Sequence, residues 1–555
     1  MTVRHSSLIS SSPSLNRTTR DSDTEKRLST KSHETTRTKH VPYSWIFLRV
    51  VSCGFVDHIF AASQSCRFQF NSLRRRIALI LLLLSLIPSP TPASLQSNLT
   101  APLPASYLTA REQDFIEDLE RRSFRYFWEQ ADARTGLVND RARADGSAID
   151  ENHRNVASIA ATGFGLTALC IAAERGWITK NDARERVRSS LHFFASEAAQ
   201  THGWFYHWMD SATGARRWQS EVSSIDTALL LAGVLTARGY FRNDREIVRL
   251  ATRIYNRVDF RWMLNHHPQL LSHGWKPETG FLKPRWDTYS EDTILYLLAI
   301  GSPTHPITPR SWYAIRRDHI SFAVYNYVGT RGVPLFMHQY AHAWVDYRGR
   351  QERKGDHVDY FQNSIEATRA HKAFCLSLAH EFPGYTENVW GITASDSAHG
   401  YVAWGGPPRD PAIDGTVVPS AAGGSLMFTP EISQSALQTM REKFGERIYG
   451  KYGFVDAFNP NNGWVDTDVI GINVGIILLS AENMRSANVW RWFMRNREIH
   501  RAMRAIELLP SNRRVRHRME RGRIEHLNAK RANHLIALRK MRKPHASSAS
   551  AGNPA

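Results

Sequence analysis

Two kinds of helical segment alternate along this chain, and the alternation limits its fold more than any single motif does. Residues 156–175 (VASIAATGFGLTALCIAAER) are apolar nearly all round the helical cylinder, whereas 180–200 (KNDARERVRSSLHFFASEAAQ) carry many charges beside one apolar stripe. A helix of the first kind must be enclosed, and one of the second kind can enclose it. An inner ring of buried helices within an outer amphipathic ring satisfies both, so the expected class is all-α, an α/α toroid with a few short strands on one face. The helical patterns fall near 110–131, 156–175, 180–200, 221–238, 243–260, 290–300, 309–327, 335–343, 357–381, 431–447, 468–484 and 486–507. Aromatic and Gly-rich connections separate them, at 136–155, 203–218, 272–289, 344–356, 384–428 and 449–467. Connections this long usually carry function, and at one end of a toroid they would converge on a single cleft.

The stretch Trp218 to Leu235 (WQSEVSSIDTALLLAGVL) joins an aromatic strip to a buried helix. Glu221 is expected in the first turn of that helix, where free N–H groups and the dipole stabilise a carboxylate by roughly 0.3–1 kcal/mol. The strip from Gly203 reads as two short strands around Thr213-Gly214, and it sets Trp204, Trp208 and Trp218 beside the acid. An acid among flat rings suggests a sugar site. A Glu serving only the dipole, with the rings as core, explains the stretch equally well.

Other loops supply further candidates. Asp140 is the best placed acid of its loop, while Asp145 and Asp150 read as turn caps. Trp275, Trp286 and Tyr289 offer faces for pyranose rings, and Glu291 offers hydrogen bonds to hydroxyls. His338 and His342, with Asp346, imitate a metal site, but the zincin pattern needs Glu where Gln339 stands, so no metal is expected. The run His338, Gln339, His342, Trp344, Asp346 and Arg348 reads instead as a polar stripe facing the cleft. Asp396, between Trp390 and Tyr401, is the second catalytic candidate, with Asp414 behind it. Phe458 follows among Asp456, Asp466 and Asp468, and Glu482 in the last apolar helix needs a buried partner or the cleft.

The formal charge of +19 sits in the ends of the chain. Residues 1–76 carry 13 Lys+Arg against 5 Asp+Glu and residues 500–555 carry 14 against 3, which leaves 44 of each sign between them. With no basic stripe through the body, nucleic-acid binding is not expected. Arg74-Arg75-Arg76, the apolar run Ile77 to Ile87 and small residues up to Ala93 match a secretory signal over 73–93, and hence a periplasmic or secreted protein. Residues 1–72 then read as a disordered or spurious leader, 94–109 as a Pro-rich linker, 110–507 as the catalytic domain and 508–555 as a basic tail with a weak affinity for anionic surfaces. Beyond the signal only Cys170 and Cys375 occur, both in apolar helical patterns and expected to be buried free thiols. A monomer is expected.

Several blocks in one order resemble the bacterial glucoamylase-like domain family, whose members include β-1,2-glucan-hydrolysing enzymes of glycoside hydrolase family 144. They are SIAATGFGLTAL at 158–169, GWFYHW at 203–208, EVSSIDTALLL at 221–231, WDTYSEDTILYLLAIGSP at 286–303, PLFMHQYAHAWVDYR at 334–348, WGITASDSAHGY at 390–401 and YGFVDAFN at 452–459. The resemblance implies an (α/α)6 barrel and inverting hydrolysis of a β-glucan without a cofactor, with Glu221 on a Glu of the family's active site and Asp140 and Asp396 on its acidic cleft positions. The chain departs from the family at Gly471-Ile-Asn473-Val474-Gly475, where Ile-Asp-Gln-Gly is expected. Glu221 is then the expected general acid, kept protonated by burial among Trp204, Trp208 and Trp218, and Asp396, Asp414 or Asp140 the base. A polysaccharide lyase on the same toroid, or a silent glucan-binding accessory module, are the alternatives.

Overall fold

The computed structural model describes residues 108–511. The expected leader, the signal, most of the linker and the tail beyond 511 lie outside the described residues. Fourteen helices occur among the described residues: α1 Ala110–Glu129, α2 Ile159–Arg175, α3 Lys180–Ser196, α4 Ser224–Tyr240, α5 Arg245–Arg257, α6 Thr293–Gly301, α7 Arg310–Ala314, α8 Tyr340–Trp344, α9 Tyr360–Ser377, α10 Pro419–Gly423, α11 Pro430–Phe444, α12 Gly471–Ser486, α13 Asn488–Phe493 and α14 Arg497–Ala505. None is long and apolar enough to cross a membrane.

Burial follows the alternation of the sequence. Every residue of α6, α8 and α10 is buried, and so are nearly all of α2, α4 and α12. By contrast α5 buries only Ile247, Leu250, Ala251, Ile254 and Tyr255, one stripe at helical spacing. Helix α2 packs between α4 and α12; α4 also meets α6, and α12 also meets α8 and α10. The amphipathic α1, α3, α5 and α11 lie against this buried set. Cys170 and Cys375 are buried free thiols.

The tightest contact in this set is backbone on backbone. A Cβ added at Gly163 of α2 would lie 2.2 Å from the Leu229 carbonyl oxygen of α4, and one at Gly233 would lie 2.1 Å from the Gly163 carbonyl oxygen. Only glycine at both positions lets the two helices approach this closely. On its other side α2 meets α1 and α12 through a buried charge network. Arg175 donates to Glu482 at 2.8 Å, Asn488 Nδ2 also donates to Glu482, and Arg485 pairs with Glu120. The partner that Glu482 needed is therefore inside the protein. Burial, and then the nearby Glu482, push the Glu120 carboxyl above the ordinary carboxylate range.

Two expectations fail here. The helix expected over 309–327 stops after one turn at Ala314, and Asp318–Phe322 pairs antiparallel with Tyr325–Gly329. Ile320 is buried between exposed His319 and Ser321, a two-residue period that a hairpin satisfies and a helix does not. The connection expected over 384–428 contains α10, whose five small residues carry too little pattern to be read as a helix. Leu508–Pro510 is a strand on Arg350–Glu352, so the ordered body runs past 507.

If the α2–α4 approach sets the packing, Gly233→Ala should destabilise the protein by about 3 kcal/mol, the upper range for overpacking a well-filled core. Denaturant unfolding measures this, and a change within about 0.5 kcal/mol would show that the contact is not a constraint.

Candidate active site

Short strands run directly into three of the buried helices: Val156–Ser158 into α2, Val222–Ser223 into α4 and Asp468–Ile470 into α12. Ser158 and Ser223 cap their helices by accepting from the backbone N–H groups of Ala161 and Asp226. Each strand is tied to a loop from elsewhere. Val222–Ser223 pairs with Gly274–Lys276, Val156–Ser158 with Trp208–Asp210, and Asp468–Ile470 with Arg141–Arg143. The Gly471 N–H also donates to the Asp140 carbonyl at 2.7 Å. These pairings gather polar side chains at the N-terminal ends of α2, α4 and α12.

The first group centres on His207. Its Nδ1 lies 3.2 Å from Glu221 Oε1 and its Nε2 lies 3.6 Å from Asp226 Oδ2, while its ring stacks on Trp208 at 4.0 Å. The hydrogen bond from His207 outweighs burial and holds the Glu221 carboxyl at about 2. Burial alone would push His207 down, but Asp226 and Glu221 together raise it above its ordinary value. A second imidazole–indole stack, His273 on Trp286 at 4.0 Å, stands beside it, with Trp286 Nε1 donating to Ser224 Oγ at 2.8 Å.

The second group centres on Arg141. Its guanidinium lies 2.7 Å from Asp396 Oδ2, 3.4 Å from Asp140 Oδ2 and 3.7 Å from Asp468 Oδ2. The Asp396 backbone N–H donates to Asp456 Oδ2 at 2.9 Å, and Asn473 Nδ2 donates to Asp456 Oδ1 at 2.7 Å. Tyr340 OH in turn donates to Asn473 Oδ1. Burial raises Asp456 well above the ordinary range and Asp466 to about 7. One oxygen each of Asp396, Asp456 and Asp466 falls within 4.8 Å of the others, a spacing that could hold a cation. Arg141 already brings positive charge to this group, and two of the three acids are driven toward the neutral form. The half-exposed Tyr401 lies near Asp456, Asp140 and Asp396, whose charges push its hydroxyl up after burial has done so.

The expected residues divide between this site and the core. Glu221, Asp140, Asp396, Trp208, Trp286 and Tyr401 are brought together, and Trp218 (47% exposed) meets Trp208 edge to face. Trp275 is half-buried on the strand that pairs with Val222. Glu291 lies buried close to Asp226, and burial pushes its carboxyl to about 7. Trp204, Tyr289, Trp344, Trp390 and Phe458 are fully enclosed and cannot offer a ring face to a sugar. Trp204 Nε1 is spent on the Asp259 carbonyl and Trp344 Nε1 on Thr167.

The stripe over 338–348 is also corrected. His338 closes a short 3-10 turn and His342 belongs to α8, so they do not share one helical face. Both are buried, and burial pushes each imidazole down to about 3. Gln339 holds Ala421 and Ser425, and the segment then runs away from the cleft, where Arg348 grips Asp346 and covers the Trp490 ring at 4.1 Å. Asp414 caps its own turn through the Thr416 N–H and stands outside the Arg141 group.

Glu221 itself precedes a strand, and Asp226 occupies the first helical turn. The burial expected to keep Glu221 protonated is outweighed by the hydrogen bond from His207; of the three rings expected around it, Trp204 is in the core and Trp218 is half-exposed. Asp226 and His207 carry no mark of a site in the sequence alone, and Asn473 only that of a departure from the family. What the sequence shows is an Asp three residues after a Ser cap, a His inside an aromatic strip, and an amide where an acid was expected.

Residues 283–497 match the family model described as "Putative glucoamylase". An exo β-1,2-glucooligosaccharide sophorohydrolase of Parabacteroides distasonis is 26% identical over 449 residues, covering 74% of this chain. This chain spans 60% of that relative's length. An endo-β-1,2-glucanase of Chitinophaga pinensis, solved with sophorotriose and glucose, has a TM-score of 0.67 and 28% identity over 72% of this chain and 99% of its own. A β-1,2-glucanase structure from Parabacteroides distasonis gives 0.64 and 25% over 72% of this chain and 60% of its own. In sequence and in its helical fold, the chain resembles the bacterial glucoamylase-like domain family.

Proposed function

We propose that this chain is a glycoside hydrolase that cleaves a β-glucan, β-1,2-linked by preference, with inversion and without a cofactor. The observation that carries the reading is the pair of carboxylate groups at the N-terminal ends of the buried helices, one tied to His207 and the other to Arg141. The relatives named above act on the same linkage. The six buried helices α2, α4, α6, α8, α10 and α12 form the inner ring of an (α/α)6 barrel in this reading, and residues 73–93 export the protein.

In the free site the available proton is on His207, between Glu221 and Asp226. A sugar seated on Trp208, Trp218, Trp275 and Trp286 displaces water from Glu221, and His207 passes its proton through Glu221 to the leaving glycosidic oxygen. Asp396, held by Arg141, takes a proton from the water that attacks the anomeric carbon from the other face. Inversion needs roughly 6.5–9.5 Å between two such carboxyl groups, enough for that water. Asp140 orients Arg141 and is a positioning residue.

Glu221→Gln should lower turnover on β-1,2-glucan by at least about 100-fold with folding intact, and a fully active variant removes the mechanism. Across a panel of β-glucans, new reducing ends should appear fastest from the β-1,2-linked polymer; equal or faster release from another linkage overturns the preference. An NMR titration should find the His207 imidazole above its usual 6.5, and lower in Glu221→Gln. Its contribution to stability is full below the unfolded value and fades as pH rises through the folded one. A His207 value that the substitution leaves unchanged would separate the two side chains.

A further inference from the structure

The C-terminal ends of α2 and α4, the first turns of α3 and α5, and α13 enclose a groove of about 930 Å³. The cleft lies at the opposite ends of α2 and α4, and 17 residues of helix put the two roughly 25 Å apart. Seven cationic side chains line the groove against three acidic ones. The acids are mostly committed: Asp244 caps α5 and binds Arg188 at 2.8 Å, and Glu246 takes His192 and Arg188. Arg242, Arg245 and Arg491 are exposed and make no side-chain hydrogen bond or ion pair among the described residues.

Helix dipoles do not explain this surplus. Lys180 is the first residue of α3 and Arg245 the first of α5, at the positive ends of their helices, where carboxylates are the stabilising choice. Burial, and then the like charges of Arg242 and Arg491, push the Arg495 guanidinium below its ordinary range, which sets three of these cations near one another. The floor is aromatic, with Tyr240 and Trp492 edge to face at 4.7 Å. Repelling cations gathered around a concave aromatic floor are together the features of an anion site.

We propose that this groove binds a soluble phosphate-bearing ligand, its charged group held by Arg242, Arg491 and Arg495. A recessed groove suits a free phosphorylated molecule better than the flat face of a bilayer, although a lipid headgroup would bring the same chemistry. The site is independent of hydrolysis in the cleft.

Calorimetric titration of the full chain with pyrophosphate tests the proposal, beside flotation with phosphatidylglycerol and with phosphatidylcholine vesicles. The comparison is the double variant Arg242→Gln/Arg491→Gln, whose exposed side chains should leave circular dichroism and β-glucan hydrolysis unchanged. Saturable pyrophosphate binding, weakened at least about tenfold in the variant, supports the site. No saturable binding, equal binding by the variant, or vesicle capture alone depending on the two arginines overturns it.

Discussion

The approach of α2 to α4 at Gly163 and Gly233 is the constraint on which the rest of the structure depends. Peptide carbonyls of one helix sit where side chains of the other would stand, so the two axes have little freedom to slide or separate. The strands that enter these helices, Val156–Ser158 and Val222–Ser223, are fixed by the same contact, and each carries its loops with it. Trp208–Asp210 lies on the first and Gly274–Lys276 on the second. In this way a packing fact deep in the helical body sets the spacing of His207, Glu221 and Trp286 at its surface.

Electrostatics then divides the site into two unlike halves. Around His207 one imidazole is shared by two carboxylates, which raises its affinity for a proton and lowers that of Glu221. Around Arg141 one cation faces Asp140, Asp396 and Asp468, and the more deeply buried Asp456 is driven neutral. Acids pushed in opposite directions within one site are what acid–base chemistry on a neutral sugar needs. The Glu120–Arg485 and Arg175–Glu482 pairs show the other use of buried charge. They are enclosed between helices, the first joining α1 to α12 and the second α2 to α12, without touching the site.

The alternation of wholly apolar and amphipathic helices was legible because it extends over many turns, and so were the long loops, which mark where the chain leaves the helical body. The strands were not. Val222–Ser223 has two residues and owes its form to Gly274–Lys276, some fifty residues away, so no local period announces it. The same blindness misplaced the rings: Trp204 and Trp208 lie in one aromatic strip, yet one faces Phe260 in the core and the other stacks on His207 in the open. His338 and His342 look like a cleft-facing pair by spacing alone, but a change from 3-10 to α-helix lies between them and both are buried. Asn473 was noticed as a departure, and the structure gives its amide a task, donating to a buried Asp456 that a carboxylate in its place would repel.

The central claim is that two carboxylates act on a sugar from opposite faces, one through the leaving oxygen and one through water. The most direct measurement is the anomeric form of the first product released from β-1,2-glucan, followed by proton NMR before mutarotation. The α-anomer should appear first. Initial release of the β-anomer would mean that the second carboxylate attacks the sugar itself, and the account of Asp396 and its arginine would be wrong.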